Sequence, residues 1–190
     1  MKTLITTTIV AIALCSACAS KDTSTTTVAQ EGTPAPVETQ APKNAEAVFT
    51  AAKKQKAKGT IHFVQTGDTV TVEGTLTGIK AGPHGFHIHE NGDCSAEGFT
   101  SAGGHFNPMN ASHGGADASV KHAGDLGNIV ADKKGKAAYK MTLTGVNVGG
   151  ANGIIGKALI IHEKPDDMKS QPSGDSGNRI ACAIIEEKKN

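Results

Sequence analysis

Seven of the eight histidines fall between positions 84 and 162, and one aspartate closes the series: His84, His87, His89, His105, His113, His122, His162 and Asp125. Neutral imidazole is the commonest protein ligand for metals and suits copper and zinc, while a carboxylate is an accepted fourth ligand to zinc. His87 and His89 are two apart in Gly85-Phe-His-Ile-His89, where strand alternation turns both side chains to one face. His162 ends another apolar run and can supply a third group to the same ion. In His122-Ala-Gly-Asp125 a tight turn lets two side chains converge, and three imidazoles with one carboxylate make a closed tetrahedral zinc site. With His84 set aside, seven groups remain for two four-coordinate ions. One histidine must then bridge, each ring nitrogen serving one ion.

Short strands must carry these groups. Gly59–Gln65 and Thr69–Leu76 place Ile, Phe and Val against Thr with a period of two, and Thr66-Gly67-Asp68 between them is a hairpin signal. The runs 85–89, 126–130, 137–143, 158–162 and 179–185 read the same way, with a further turn at Asp132-Lys133-Lys134-Gly135. No stretch carries a helical period. The expected fold is all-β, an antiparallel Greek-key sandwich or flattened barrel of about eight strands. Two long segments break the rhythm, from about Asn91 to Gly124 and from about Glu163 to Asn178. Loops of that length in a compact domain are usually functional. The first holds His105, His113 and His122, and the second follows His162 directly.

The chain has 190 residues with 19 basic against 18 acidic, a balance that argues against a nucleic-acid partner. Residues 1–19 read as a secretory signal: Lys2, an apolar run over 4–14, then small residues. Leu14-Cys15-Ser16-Ala17-Cys18 is similar to a bacterial lipoprotein box, with Cys18 the acylated residue and the membrane reached only through that anchor. The alternative is cleavage near Ala19 and a soluble periplasmic protein. Residues 20–45, rich in Thr, Pro, Ala and Gln, read as a tether. The folded domain is then 46–190. It keeps two cysteines, Cys94 and Cys182, and an even pair in an exported chain points to a disulfide. The run Lys53-Lys54-Gln-Lys56-Ala-Lys58 reads as a solvated strand and turn, with a membrane-facing role as the alternative.

Gly85-Phe-His-Ile-His-Glu90, Gly103-Gly-His-Phe-Asn-Pro108, His122-Ala-Gly-Asp-Leu-Gly-Asn128 and Gly177-Asn-Arg-Ile-Ala-Cys182 together resemble the copper/zinc superoxide dismutases, in order and over the whole of residues 46–185. The resemblance implies copper on His87, His89, His105 and His162, and zinc on His105, His113, His122 and Asp125, with His105 the bridge. It implies that Asp166 hydrogen-bonds a copper histidine and a zinc histidine, and that Arg179 docks the superoxide anion beside copper. His105 is implied to pass a proton during turnover. Cys94 and Cys182 match the family's disulfide pair, and the place of Cys94 soon after His89 resembles exported bacterial members. The implied activity is dismutation of superoxide to dioxygen and hydrogen peroxide in the cell envelope; monomer and homodimer both stay open. His84 resembles a histidine that ties backbone segments, and His62 reads as a surface residue. The second loop departs from the family in being short, with Asp175 adding negative charge near the entrance. Two other readings stay open: a metal-buffering module and a structural envelope lipoprotein.

Overall fold

The structure is a computed structural model that describes residues 43–150 and 152–188. The leader 1–19 with Cys18, and the tether up to residue 42, lie outside the described residues. Nine strands follow in chain order: β1 (Asn44–Val48), β2 (Thr50–Ala51), β3 (Lys58–Thr66), β4 (Thr69–Thr77), β5 (Gly82–His89), β6 (Asp125–Ala131), β7 (Ala137–Thr144), β8 (Ala158–His162) and β9 (Arg179–Glu187). They form one antiparallel sheet in the order β6-β5-β8-β9-β1-β3-β4-β7, and β2 adds a short pair to β9. The connections β4–β5 and β7–β8 cross the barrel in Greek-key fashion. The seven runs read from alternation are all strands. β1 and β2 are additional, since Asn-Ala-Glu-Ala-Val is too poor in β-branched residues to announce a strand. The first long loop contains one short 3-10 segment, Glu97–Ala102.

Alternation becomes a core because one face of each strand turns inward. Ile61 and Phe63 of β3, Val70, Val72 and Leu76 of β4, Phe86 and Ile88 of β5, and Leu159 and Ile161 of β8 are all fully buried. Each such side chain contributes about 1.5–3 kcal/mol of transfer free energy. The sheet closes without a ladder between β6 and β7. There Tyr139 of β7 donates its hydroxyl to the Leu126 carbonyl of β6 at 2.7 Å, and its ring meets Phe86 edge-on with centroids 4.9 Å apart. Burial, with the Asp117 carboxylate adding to it, pushes the Tyr139 phenol up, so it stays a donor.

With Phe86 and Ile88 facing inward, His87 and His89 face outward from β5, under the two long loops. A three-way backbone junction fixes those loops to the strand: Ile88 N–H donates to Gly124 O (2.9 Å), Phe106 N–H to Ile88 O (2.8 Å) and Gly124 N–H to Phe106 O (2.9 Å). A Cβ at Gly124 would sit on the Ile88 carbonyl oxygen and 3.0 Å from Phe106 N. Neither neighbour is the end of a flexible side chain. Gly124→Ala is therefore expected to cost about 2–3 kcal/mol, read as a lower urea midpoint of the metal-free protein.

Candidate metal centre

Two clusters of buried side chains stand on this outer face. His87, His89, His105 and His162 form the first, and His105, His113, His122 and Asp125 the second; in each, one ligand atom per residue lies within 4.8 Å of all the others. β5 supplies His87 and His89, β8 ends on His162, and His105 reaches β5 through an isolated bridge with His89. The ladder shifts register between Gly85 and His87 and between Ile161 and His162, beside the ligands on each strand. His105 belongs to both clusters.

The atoms fit cations. In the first cluster His87 Nδ1 and His105 Nε2 are buried with no hydrogen-bond partner, and His89 Nε2 lies 3.3 Å from His162 Nε2. In the second, the Nδ1 atoms of His105, His113 and His122 lie 2.8, 3.0 and 3.2 Å from one oxygen, Asp125 Oδ1. His113 Nδ1 is close enough to bond that oxygen but not directed to do so, and it counts as unpartnered. Three imidazole nitrogens gathered on one carboxylate oxygen satisfy each other poorly. They would satisfy a divalent ion well.

The far side of each ring is held. His87 Nε2 and His113 Nε2 bond the two oxygens of Asp166, at 2.8 and 3.0 Å, so one carboxylate orients one ring from each cluster. His89 Nδ1 donates to Gly103 O at 2.9 Å and His162 Nδ1 to Gly177 O at 3.2 Å. Asp166 is held in turn: Asn128 Nδ2 donates to its carbonyl and Asn128 Oδ1 accepts its N–H. Gln171 clasps the His113 backbone in the same two-sided way. Gly174, at φ 66°, lies so close that a Cβ there would overlap Asp166 Oδ1 and stand 2.8 Å from His113 Nε2. Sequence reasoning missed Asn128 as a clasp, Gln171 and the Gly103 carbonyl. Asn128 and Gly103 lie inside motifs of the family resemblance, but nothing there marks an amide clasp or an accepting carbonyl, and no pattern marks Gln171. His84 belongs to neither cluster; its ring nitrogens lie 2.8 Å from His162 O and Lys80 O and tie two backbone segments together. His62 lies on the barrel side, half-exposed, 3.6 Å from Glu46.

Electrostatics prepare the clusters for metal. Burial, with the His105 ring beside them, holds His87 and His89 well below the usual imidazole range. Burial likewise brings His162 down to about 4. Burial opposes ionisation of Asp125, but hydrogen bonds from His105 and from the N–H groups of Gly114 and His122 outweigh it and hold the carboxyl well below its ordinary value. At neutral pH these ligands are neutral imidazoles and an ionised carboxylate, the forms metals bind. A histidine depressed in the folded state binds fewer protons there than when unfolded, so stability is lost as pH falls below about 6.5. His162 alone predicts a loss of about 2 kcal/mol by pH 5. The metal-free protein is expected to show a urea midpoint that declines from pH 7.5 to 5.

Beside the first cluster, Arg179 pairs with His162 across β8 and β9. Its guanidinium donates to Phe99 O at 2.5 Å and to Gly103 O at 2.6 Å. Burial lowers its pKa, yet a guanidinium stays charged. The accepting carbonyls lie in the loop that Cys94 clamps to Cys182 on β9, with Cα atoms 5.9 Å apart. Gly103 O thus serves His89 and Arg179 together.

The fold and site define a Greek-key β-barrel metalloprotein with two adjacent clusters sharing one imidazole. The family model for copper/zinc superoxide dismutase matches residues 57–185, and the chain belongs to that family. It is 43% identical over 135 residues to the superoxide dismutase [Cu-Zn] of Paramecium bursaria Chlorella virus 1, covering 67% of this chain and 72% of the relative. Against the extracellular superoxide dismutase [Cu-Zn] of Caenorhabditis elegans it is 43% identical over 133 residues, 67% of this chain and 60% of the relative. A crystal structure of the clock protein EA4 superposes with a TM-score of 0.70 at 37% identity, over 76% of this chain and 94% of that one.

Proposed function

We propose that the chain dismutates superoxide at the first cluster, with copper on His87, His89, His105 and His162, and zinc on His105, His113, His122 and Asp125. The observation that carries this reading is the sharing of His105 between two four-group clusters inside a copper/zinc superoxide dismutase family match. Copper, when bound, supplies the one-electron change by which one superoxide leaves as dioxygen and a second, with two protons, leaves as hydrogen peroxide; zinc supplies charge without redox.

The chain's own groups do the rest. Arg179 offers a fixed positive charge whose outer N–H groups can hold the anion. Its bonds to Phe99 O and Gly103 O keep the fork in place. His105 can hold or yield a proton at Nε2, the atom left without a protein partner. Asp166 keeps the rings of His87 and His113 oriented while this happens. Lys164 and Lys169 add positive charge on the second loop, and Asp175 opposes it. The place of action is the cell envelope, with export through the leader and attachment through Cys18; the protein then meets superoxide outside the cytoplasm, as a monomer or a homodimer. Mass spectrometry of the mature protein tests that part, because an unmodified amino terminus near Ser20 would sink the anchor. The enzyme reading is tested by measuring dismutation and both metals in one sample. Near one copper and one zinc per chain with a chelator-sensitive rate is expected. Full metal content without dismutation would leave a metal buffer instead.

A further inference from the structure

The fold gathers onto one end of the barrel a set of lysines that the chemistry above leaves unused. Lys53, Lys54 and Lys56 lie in the β2–β3 turn, Lys80 in the β4–β5 connection, and Lys133, Lys134 and Lys136 in the β6–β7 turn; all are exposed. These three connections touch. Gly78 packs so close to the Lys56 carbonyl that a Cβ would overlap it, and Ile79 N–H donates to Gly135 O at 3.3 Å. Residues far apart in sequence therefore make one surface.

Its charge is only partly offset, with two acids beside seven lysines. Asp132, the acid within the β6–β7 turn, spends one carboxylate oxygen on the N–H groups of Lys134 and Lys136, at 2.8 and 2.9 Å. Glu97 borders the patch, sharing a hollow with Lys53. Among the described residues the lysine ion pairs are Lys140–Glu73 and Lys188–Glu46, and neither involves these seven. A chain of net charge +1 thus carries a local concentration of positive charge at one end.

The geometry points to docking of this end on a membrane surface bearing anionic phospholipid headgroups. Three turns project from a barrel end, which suits a plane better than a strand or duplex lying in a groove. The cations are lysines, compact point charges without the planar fork that reads base edges. No exposed aromatic stands among them to stack a base. An apolar flank adjoins instead: Val130 is 61% exposed and pairs with exposed Pro83 where β5 and β6 reach this end. Lysine attraction to an anionic surface is additive, roughly fivefold in partition for each residue held within a Debye length. Docking here does not require the Cys18 anchor and does not involve the metal ligands.

The test is co-sedimentation of the full chain with vesicles of phosphatidylcholine alone and of phosphatidylcholine with phosphatidylglycerol, which share any anchor contribution. Partition onto the anionic vesicles is expected to be higher, and to fall steeply between about 0.05 and about 0.3 M salt. Two triple variants, one converting Lys53, Lys54 and Lys56 to Gln and one converting Lys133, Lys134 and Lys136 to Gln, are each expected to weaken it roughly tenfold to a hundredfold. Both variants should keep the wild-type metal content and thermal midpoint. Equal partition onto the two vesicle types would overturn the inference, as would insensitivity to either variant. Tighter retention by duplex DNA or a sulfated polysaccharide than by anionic vesicles at the same salt would also overturn it, assigning the patch to a soluble polyanion.

Discussion

Asp125→Ala is expected to leave the second cluster without its metal while the first keeps most of its own. Asp125 supplies the cluster's only negative charge, and the Nδ1 atoms of His105, His113 and His122 crowd around its Oδ1 within 3.2 Å. Three neutral imidazoles alone would hold a divalent cation with no formal charge against it. The carboxylate is also structural. Oδ2 accepts the N–H groups of Gly114 at 3.1 Å and His122 at 2.8 Å, and these set the path of the loop. Alanine leaves buried donors unpaired, at about 1–3 kcal/mol each, so the metal-free variant should be less stable by about 3–5 kcal/mol. Zinc measured on the purified protein is expected to fall at least tenfold, and copper by less than half. Asp125→Asn separates the two roles, because it retains an acceptor for the backbone and loses the charge. It should recover much of the stability and little of the zinc. Equal loss of both metals from Asp125→Ala would mean that the clusters are not separable through this residue.

What could be read from the chain follows the range of the interaction. His87 and His89 were legible because alternation over three residues decides which face they share. The His122–Asp125 pair was legible because one turn joins them. The disulfide was legible by count, since two cysteines remain outside the leader. Asp166 was different. It reaches His87 across 79 positions and His113 across 53, and only family resemblance singled it out from the acidic neighbours in its loop. Gly103 O and Gln171 escaped altogether, because a carbonyl has no sequence signature and a glutamine in a loop is ordinary. The same limit hid β1. Its Ala45 and Ala47 are fully buried between β3 and β9. Buried alanines carry little β-propensity, so the strand goes unannounced. The lysine-bearing end was legible only in part: the run 53–58 admitted a membrane-facing role, but nothing in the sequence joins it to Lys80 and the 133–136 turn, which the contacts of Gly78 with Lys56 and of Ile79 with Gly135 bring beside it.

Arg179→Ala is expected to lower the rate of superoxide dismutation by roughly tenfold to a hundredfold with copper and zinc unchanged. The size follows from losing one charge-assisted contact to an anion, about 1.5–3 kcal/mol. The guanidinium also spans the carbonyls of Phe99 and Gly103, so alanine frees the loop as well as removing the charge. Gly103 O accepts from His89 Nδ1, and loosening it lets that ring turn. Arg179→Lys divides these effects. Lysine restores a positive charge but cannot make two parallel bonds from a planar fork. It should regain the salt dependence of the rate, since screening acts on charge whatever carries it. It should not regain the full rate, because the loop stays less constrained. The disulfide sets a bound on how far the loop moves, since Cys94 remains clamped to Cys182, three residues beyond Arg179 on β9. Reduction of that bond in Arg179→Ala should therefore lower the rate further than reduction in the wild type, where the arginine still holds the loop. Equal sensitivity of the two proteins to reduction would show that Arg179 acts through its charge alone, and an unchanged rate in Arg179→Ala would remove it from the anion site.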